Sequence, residues 1–205
     1  INFDNNIIPA PLYLHGVHID LVDRLDMFAS GPAGLVRMQR DSLPDLVPIH
    51  IASRSVDTGK LRENSQLFVG NGLGAYCSLP ASVNKKALES LAEEWSQGHA
   101  TGWAKISAVI ERLRTNYQHD HDFRPDEGIE DPVGHFLFQA KRGPDYQFAT
   151  AAALLLRSLG YQSRVVSGFY ADAERYDSDS EHTPVLREDV HFWVEVRAVG
   201  SGWVT

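Results

Sequence analysis

The sequence predicts an α+β fold, in which helices pack on an antiparallel sheet and a β-rich region precedes them. Three observations favour this class: β-forming runs separated by Pro and Gly before residue 79, helical periodicity after it, and alternating runs near the end of the chain. We therefore predict a β-rich N-terminal region over residues 1–78 and a second domain over residues 79–205. A chain of 205 residues can build one such core and a smaller annexe.

Strand signals dominate the N-terminal region. Residues 13–22, 46–51 and 66–69 carry Val, Ile, Leu and other β-formers in imperfect alternation. Pro44 and Pro48 favour edge positions and irregular paths, because proline lacks the N–H that a strand ladder uses. We expect these segments to be strands.

Two amphipathic helices follow residue 79. The first has Asn84 as its predicted N-cap, and Gly98 suits the position just past its end. The second has Thr101 as its predicted N-cap. Each helix has one apolar face with helical spacing. These faces carry Leu88, Leu91, Ala92 and Trp95 in the first helix, and Trp103, Ile106, Val109, Ile110 and Leu113 in the second.

A third helix is predicted from Asp145 to Leu159, with Gly160 beyond its end. Apolar residues cover nearly all of its sides, which indicates a buried helix. The N-terminus of such a helix can stabilise an anion, since its backbone N–H groups and its macrodipole point there.

Strand-like runs follow this helix at residues 163–170 and 191–197, and another begins at Gly202. An acidic loop over residues 172–184 separates the first two and is interpreted as solvated. The second run begins with His191. A thiol enzyme needs a nucleophile at a helix N-terminus, a His within reach of it, and a third group that orients the His. This order of elements can supply the scaffold for such a site.

Five motifs occur in a fixed order along the second domain: GPDYQFA at 143–149, LLRSLG at 155–160, RVVSGFY at 164–170, VLREDVHFWVEV at 185–196 and GWV at 202–204. Together they resemble the transglutaminase-like superfamily of papain-related thiol enzymes. Asp131-Pro132 and the apolar run at 136–138 resemble its membrane-anchored bacterial branch, whose domain faces the periplasm. The resemblance implies a transglutaminase-like, papain-like core over residues 79–205 and a periplasmic or extracytoplasmic location.

The same resemblance assigns roles to individual positions. His191 matches the catalytic His, and Asp145 stands at the position of the nucleophilic Cys. The third residue of the triad is expected beyond Thr205. Phe192 replaces a residue that is typically small in the family. A carboxylate is a far weaker nucleophile toward amides than a thiolate, so the family's acyl transfer cannot run in its usual way.

We therefore expect a non-catalytic relative, or pseudoenzyme, that binds peptides or partner proteins in the former cleft. Tyr146, Phe192 and Trp193 flank the two site positions and are the candidate binding residues. The alternative is an active peptidase, amidase or transglutaminase that uses Asp145 and His191 in an unusual way, with or without a metal. An engineered replacement of Cys by Asp at position 145 is a third hypothesis.

Each site residue also has a simpler interpretation. Asp145 can be an ordinary helix cap, worth about 1 kcal/mol. His191 can be a structural core histidine. The single cysteine, Cys77, lacks a helix start directly after it and is interpreted as buried filler. The run at residues 119–122, His-Asp-His-Asp, has metal-ligand chemistry without a spacing signature, so we interpret it as a solvated loop.

Composition narrows the classes of partner. The formal net charge of -8 argues against nucleic acid, because phosphate binding requires clustered Lys and Arg. No run of about 18 apolar residues exists, so no membrane contact is predicted for this piece. No cofactor and no metal site are predicted. The chain starts at Ile1 without Met and stops inside a strand-like run, so we expect a fragment of a longer protein, and the resemblance implies that this protein is membrane-anchored.

Overall fold

The computed structural model describes residues 7–8, 10, 14–19, 28–30, 36–39, 49–53, 57–64, 66–70, 74–100 and 102–205. The chain divides into two compact units, one of residues 1–57 and 171–189 and the other of residues 58–170 and 190–205. The second unit holds the main core and all five predicted site residues. The domain boundary after residue 78 stays a prediction.

The first unit contains short antiparallel strands. They are β1 (Ile7–Ile8), β2 (Leu14–Ile19), β3 (Phe28–Ser30), β4 (Val36–Met38) and β5 (Ile49–Ser53). Strand β4 lies between β1 and β3 in one sheet, and β2 pairs with β5. The described parts of the predicted segments 13–22 and 46–51, residues 14–19 and 49–51, are strands, and the rest of both segments lies outside the described residues.

The acidic loop lies in this first unit. It carries a single 3-10 turn at Ala173–Arg175, and a second one, Arg187–Asp189, follows the loop. Arg175 pairs with Asp189 at 2.7 Å. The backbone N–H of Leu186 and this guanidinium both lower the pKa of Asp189. The Arg175–Asp189 ion pair therefore connects the start of the loop to the segment that follows it.

The second unit begins with a helix that the sequence pattern did not predict. This helix, α1 (Thr58–Asn64), has seven residues, too few for a helical period to show. The guanidinium of Arg62 donates to the carbonyl oxygen of Thr205 at 2.5 Å and lies over the Trp103 ring. The adjacent segment at 66–69, predicted as a strand, makes isolated bridges to two other segments.

The first predicted amphipathic helix is confirmed as α2 (Lys85–Ser96). The side-chain oxygen of Asn84 accepts a hydrogen bond from the Ala87 N–H at 3.2 Å, so the predicted N-cap is also confirmed. Gly98 follows the helix with a positive φ of 78°, a conformation that glycine adopts without strain.

The second predicted helix is confirmed as α3 (Trp103–Asn116), but its predicted cap is wrong. The N-cap position belongs to Gly102, and Thr101 lies outside the described residues. Gly102 has a positive φ of 74°, and its N–H donates to the Tyr161 hydroxyl at 2.9 Å. The chain thus enters this helix by a path that depends on glycine and on a tertiary hydrogen bond, neither of which a capping pattern shows.

A short helical segment separates α3 from the buried helix. After β6 (Gln118–His119), α4 (Pro132–His135) continues into a π-helical turn (Phe136–Ala140). The carboxylate of Asp131 caps α4 by accepting the Gly134 N–H at 2.8 Å. Asp followed by Pro is a helix-start signal that the sequence analysis left unused. Strand β7 (Arg142–Gly143) then pairs with β6 in parallel.

The buried helix and the three strands after it form the centre of the second unit. They are α5 (Asp145–Ser158), β8 (Ser163–Phe169), β9 (Val190–Ala198) and β10 (Gly202–Val204), all within one or two residues of the predicted bounds. The strands pair antiparallel in the order β10-β9-β8, and α5 packs on β8 and β9. This arrangement confirms the predicted α+β class. The largest fully buried apolar side chains are those of Leu88, Val109, Phe136, Leu137, Leu155, Leu156 and Val204.

The C-terminal half of α5 is fixed to β8 by polar contacts. The Ser163 hydroxyl donates to the Ala153 carbonyl at 2.8 Å, and the Arg157 guanidinium donates to the Ser163 carbonyl at 2.9 Å. Ser163 is fully buried, so its polar groups need these partners.

Tyr117 gives a test of the core. Its ring packs beside Phe136, and its hydroxyl donates to the Leu137 carbonyl at 2.8 Å in a buried environment. We expect Tyr117→Phe to lower the free energy of unfolding by about 1–3 kcal/mol at pH 7, because that carbonyl loses its donor. Urea denaturation measures the change, with the exposed Tyr170→Phe as the matched control.

The same pair of variants tests a pH dependence. Burial raises the pKa of Tyr117 above its ordinary value, so the folded state holds this proton more tightly than the unfolded chain. The resulting stability is present below about pH 10 and is lost as the pH rises further. The stability gap between the parent chain and Tyr117→Phe should therefore narrow above pH 10. A gap that stays constant up to pH 11 would contradict this account.

Candidate active site

Asp145 is the first residue of α5. Pro144 occupies the N-cap position and makes no side-chain capping bond. One carboxylate oxygen of Asp145, Oδ1, accepts the Tyr146 N–H at 2.8 Å. The carboxylate thus lies where the N–H groups and the macrodipole of α5 favour an anion. It serves the helix terminus from the first turn and not from the N-cap position itself.

The second carboxylate oxygen faces β9. Asp145 Oδ2 lies 3.0 Å from Nδ1 of His191, although the two residues are 46 positions apart in the sequence (191 minus 145). The structure thus brings the two candidate site positions within hydrogen-bonding distance. The carboxylate is 15% exposed, whereas the imidazole is 52% exposed. The pair therefore has one sheltered partner and one that reaches solvent.

The same oxygen also accepts a backbone hydrogen bond from β9. The N–H of Phe192 donates to Asp145 Oδ2 at 2.9 Å. Strand β10 pairs with residues 196–198 of β9, so among the described residues no strand covers this edge of β9 at its beginning. The carboxylate takes the place of a missing strand partner. Sequence analysis could not find this donor, because every residue except proline carries one.

Aromatic rings surround the pair. The imidazole of His191 stacks on Trp193, with ring centroids 6.3 Å apart and an interplanar angle of 20°. Tyr146 meets Phe192 edge to face at 6.1 Å. The three predicted binding residues therefore lie next to the two predicted catalytic positions. Their roles in binding stay predictions.

Trp193 is held in place by a buried ion pair that the sequence analysis missed. Its indole N–H donates to Glu195 at 3.3 Å, and the Glu195 carboxylate pairs with the Arg164 guanidinium at 2.6 Å. Only 4% of the Glu195 side chain is exposed. Two-residue spacing along a strand places His191, Trp193 and Glu195 on one face, and this pattern could have predicted that Glu195 lies next to Trp193. The partner on β8 depends on register, which the pattern does not fix.

A glycine opposite His191 makes room for the Trp193 ring. Gly168 pairs with His191 in the register of β8 and β9. A Cβ atom at Gly168 would lie 2.8 Å from the far edge of the indole. This position therefore needs glycine for close approach and not for an unusual φ.

Two other candidate groups have local structural roles. Asp120, in the His-Asp-His-Asp run, accepts the N–H groups of Asp122 and Phe123 and so shapes a turn. Cys77 is 5% exposed and packs under Gly70. Within the described ranges, no group of three or more His, Cys, Asp or Glu is placed to hold a metal. No helix in those ranges is long and apolar enough to cross a membrane.

A buried helix that begins beside a strand-borne imidazole, on an antiparallel sheet, defines the papain-like class of α+β folds. Residues 89–205 match the model of the transglutaminase-like superfamily. This match covers more than half of the chain, and the chain belongs to that superfamily.

Two curated relatives share sequence with the chain. The uncharacterized protein YebA of Bacillus subtilis is 32% identical over 152 residues, which cover 71% of this chain and 20% of YebA. A protein-glutamine gamma-glutamyltransferase of Pseudomonas aeruginosa is 30% identical over 130 residues, which cover 62% of this chain and 18% of that protein. The chain thus spans about a fifth of the length of the curated relatives it matches.

A solved structure shares the fold. The crystal structure of the periplasmic domain of TgpA from Pseudomonas aeruginosa, bound to ethylmercury, superposes with a TM-score of 0.69 at 20% sequence identity. The similarity covers 99% of this chain and 67% of that one.

The double role of Asp145 can be tested at the Phe192 amide. We expect Asp145→Ala to speed hydrogen exchange at this N–H by about tenfold or more, because the amide loses its acceptor at an otherwise open strand edge. Asp145→Asn is the control: its carbonyl oxygen can still accept the bond but carries no charge, so an intermediate rate is expected. Unchanged exchange in Asp145→Ala, followed by NMR, would show that the hydrogen bond is not formed in solution.

Proposed function

We propose that this chain is a non-catalytic transglutaminase-like domain that binds peptide or protein segments at the Asp145–His191 site. The observation that supports this most directly is the hydrogen bonding of the carboxylate. Asp145 accepts from the N–H groups of Tyr146 and Phe192 and lies beside the His191 imidazole. A group held on both oxygens is organised as a structural anion.

The chemistry of acyl transfer favours the same proposal. An attacking carboxylate would form a mixed anhydride with the acyl group, and an amide is a poor electrophile for such a weak nucleophile. To attack, Asp145 would also have to give up hydrogen bonds that secure helix to strand. The sequence has a single cysteine, Cys77, and its thiol is buried. Glutamine acyl transfer is the activity in the name of the Pseudomonas relative, and we do not propose it for this chain.

A binding role is supported by the surroundings of the pair. Tyr146 is 39% exposed, and half of the His191 side chain reaches solvent. Aromatic rings with a polar end are well suited to contact peptide side chains, since they bring large contact area at low cost in conformational entropy. We propose Tyr146, Phe192 and Trp193 as the contact residues, with a peptide or protein as the partner.

One observation favours a second candidate. The Asp145–His191 pair has the geometry of a working acid–base dyad, because 3.0 Å lies within proton-transfer reach and the imidazole is open to solvent. A peptidase, amidase or transglutaminase with this non-standard site is therefore the alternative. If the parent gene encodes Cys at position 145, the residue is engineered and the parent protein is a thiol enzyme.

We also propose an extracytoplasmic location for this domain. The support is the similar fold of the TgpA domain, which is described as periplasmic. The test is to express the chain with and without an export signal and to compare the yield of folded protein in the periplasm and in the cytoplasm. We expect the exported chain to fold in the periplasm.

The chain with Asp145 in place, without any substitution, should show no thiol-dependent acyl transfer. Assays with amide substrates and with glutamine donors plus an amine should give no turnover above background, and iodoacetamide should not label the folded chain rapidly, because Cys77 is buried. Mass spectrometry locates any label. Turnover that His191→Ala abolishes would overturn the non-catalytic proposal and support the acid–base alternative.

Asp145→Cys should create a reactive thiol. The helix N-terminus supplies positive potential and His191 supplies a base or an imidazolium partner, so the pKa of the introduced thiol should fall below the ordinary value of about 8.5. It should react with iodoacetamide at neutral pH far faster than Cys77. Turnover is a separate measurement, because the third member of the triad is expected beyond Thr205 and Phe192 stands where the resemblance implies a small residue.

Asp145→Ser serves as the control for this experiment, because it retains Cys77 as its thiol and keeps a small polar side chain at the helix start. The measurement is the pH dependence of the alkylation rate of both variants. An apparent thiol pKa near 8.5 in Asp145→Cys would show that the electrostatic environment expected of a thiolate site is absent.

A further inference from the structure

A groove runs along the flank of α5 beside the Asp145–His191 site. Its volume is about 560 Å³, and it lies entirely within the second unit. Tyr146 lines its near end and also contacts Phe192, so the groove and the site share a wall. Most of the lining is apolar; it includes Val83, Pro132, Tyr146, Thr150, Leu154 and Val165.

The outer edge of β8 borders this groove. Strand β8 is the last strand of the β10-β9-β8 sheet. At its start, Ser163 directs its backbone away from β9: its N–H donates to the Tyr76 carbonyl, and its own carbonyl accepts from Arg157. Backbone groups alternate between the two sides of an antiparallel strand, so those of Val165 and Ser167 point to the same outer edge.

This edge is open where the groove passes it. In the part of the chain that the structure describes, the outward N–H and C=O groups of Val165 and Ser167 have no hydrogen-bond partner outside the sheet. Val165, which is 38% exposed, lines the groove next to them. An apolar channel thus lies beside a row of free backbone donors and acceptors, the combination that strand addition requires.

The far end of the groove carries a positive charge without an opposite one. Arg157 lines the groove and donates to the carbonyl oxygens of Ser163 and Ser78. No carboxylate lies within ion-pair distance of it among the described residues. Asp131, on the opposite wall, already accepts the N–H groups of Gly134 and Asn84. Asp131 keeps its negative charge, so the groove has an acidic group on one wall and, at its far end, the Arg157 guanidinium, which has no carboxylate beside it among the described residues.

We infer that the groove binds an extended peptide segment that adds to the outer edge of β8 as a strand, with an acidic side chain at Arg157 and apolar side chains in the groove. The open stretch of this edge runs from Val165 to Ser167, so about three residues of a bound strand would pair with it. This inference rests on the proposed function in one respect, that the peptide is held and not cleaved.

A defined peptide set tests the inference on the complete 205-residue chain. The probe is a fluorescein-labelled hexapeptide of alternating Val and Thr that carries one Asp at an end. Two matched peptides differ in one feature each: one has Lys in place of Asp, and one has N-methyl groups on alternate residues so that one edge cannot donate. Fluorescence anisotropy measures binding. Each peptide is made in two versions, with the charged residue at the N-terminal or at the C-terminal end.

We expect the Asp peptide to bind, and both matched peptides to bind about tenfold more weakly or worse, since each loses a hydrogen-bonding or charge contact. Val165→Arg, which fills the groove at an exposed position, should lower the affinity by a similar factor while leaving the circular dichroism spectrum unchanged. Equal binding of the N-methylated peptide would overturn strand addition, and absence of binding by the whole set at millimolar concentration would overturn the inference.

Mass spectrometry of the bound peptide separates the two proposals. If the Asp peptide binds and is cleaved, the non-catalytic proposal fails while strand addition stands. If the peptide set does not bind but Asp145→Cys gives the expected low thiol pKa, the groove inference fails while the assignment of the site stands.

Discussion

The second unit depends on one shared acceptor, the Oδ2 atom of Asp145. It receives the Phe192 N–H at 2.9 Å and the His191 imidazole at 3.0 Å, and so joins the start of α5 to the start of β9. A bare strand edge and the positive end of a helix both require an acceptor, and a single carboxylate satisfies both. This connection sets the distance between the Asp145 carboxylate and the His191 imidazole.

The other end of α5 is secured independently. Arg157 and the Ser163 hydroxyl connect its last turns to the start of β8, while Leu155 and Leu156 are fully buried around it. A helix fixed at both ends on a sheet is a rigid element, and rigid elements hold functional groups in place better than loops do. Because β9 also carries the Trp193–Glu195–Arg164 contacts, the imidazole has a second support on its own strand.

Much of this arrangement could be read from the sequence because it has a period. The all-round apolar pattern of α5 fixed its bounds to within a residue, and strand alternation located β9 and therefore His191. Features that do not repeat with a regular spacing along the sequence were not predicted. α1 is too short to show one, the entry into α3 depends on the φ of Gly102, and the pairing of Arg164 with Glu195 follows from register. The open edge of β8 is a property of backbone groups, which all sequences carry alike.

A carboxylate suits position 145 for the reason that a thiolate would. Both are anions, so the N–H groups and macrodipole of α5 stabilise either, and an imidazole beside it can pair with either. They differ in what they accept: a carboxylate has two oxygens and can take the Tyr146 and Phe192 N–H groups at short range together, whereas sulfur is a weak acceptor. The carboxylate therefore makes the helix–strand junction stronger and the nucleophile weaker. Asp at this position gives the junction structural definition, and the binding role that we propose would use that definition without requiring bond-making chemistry.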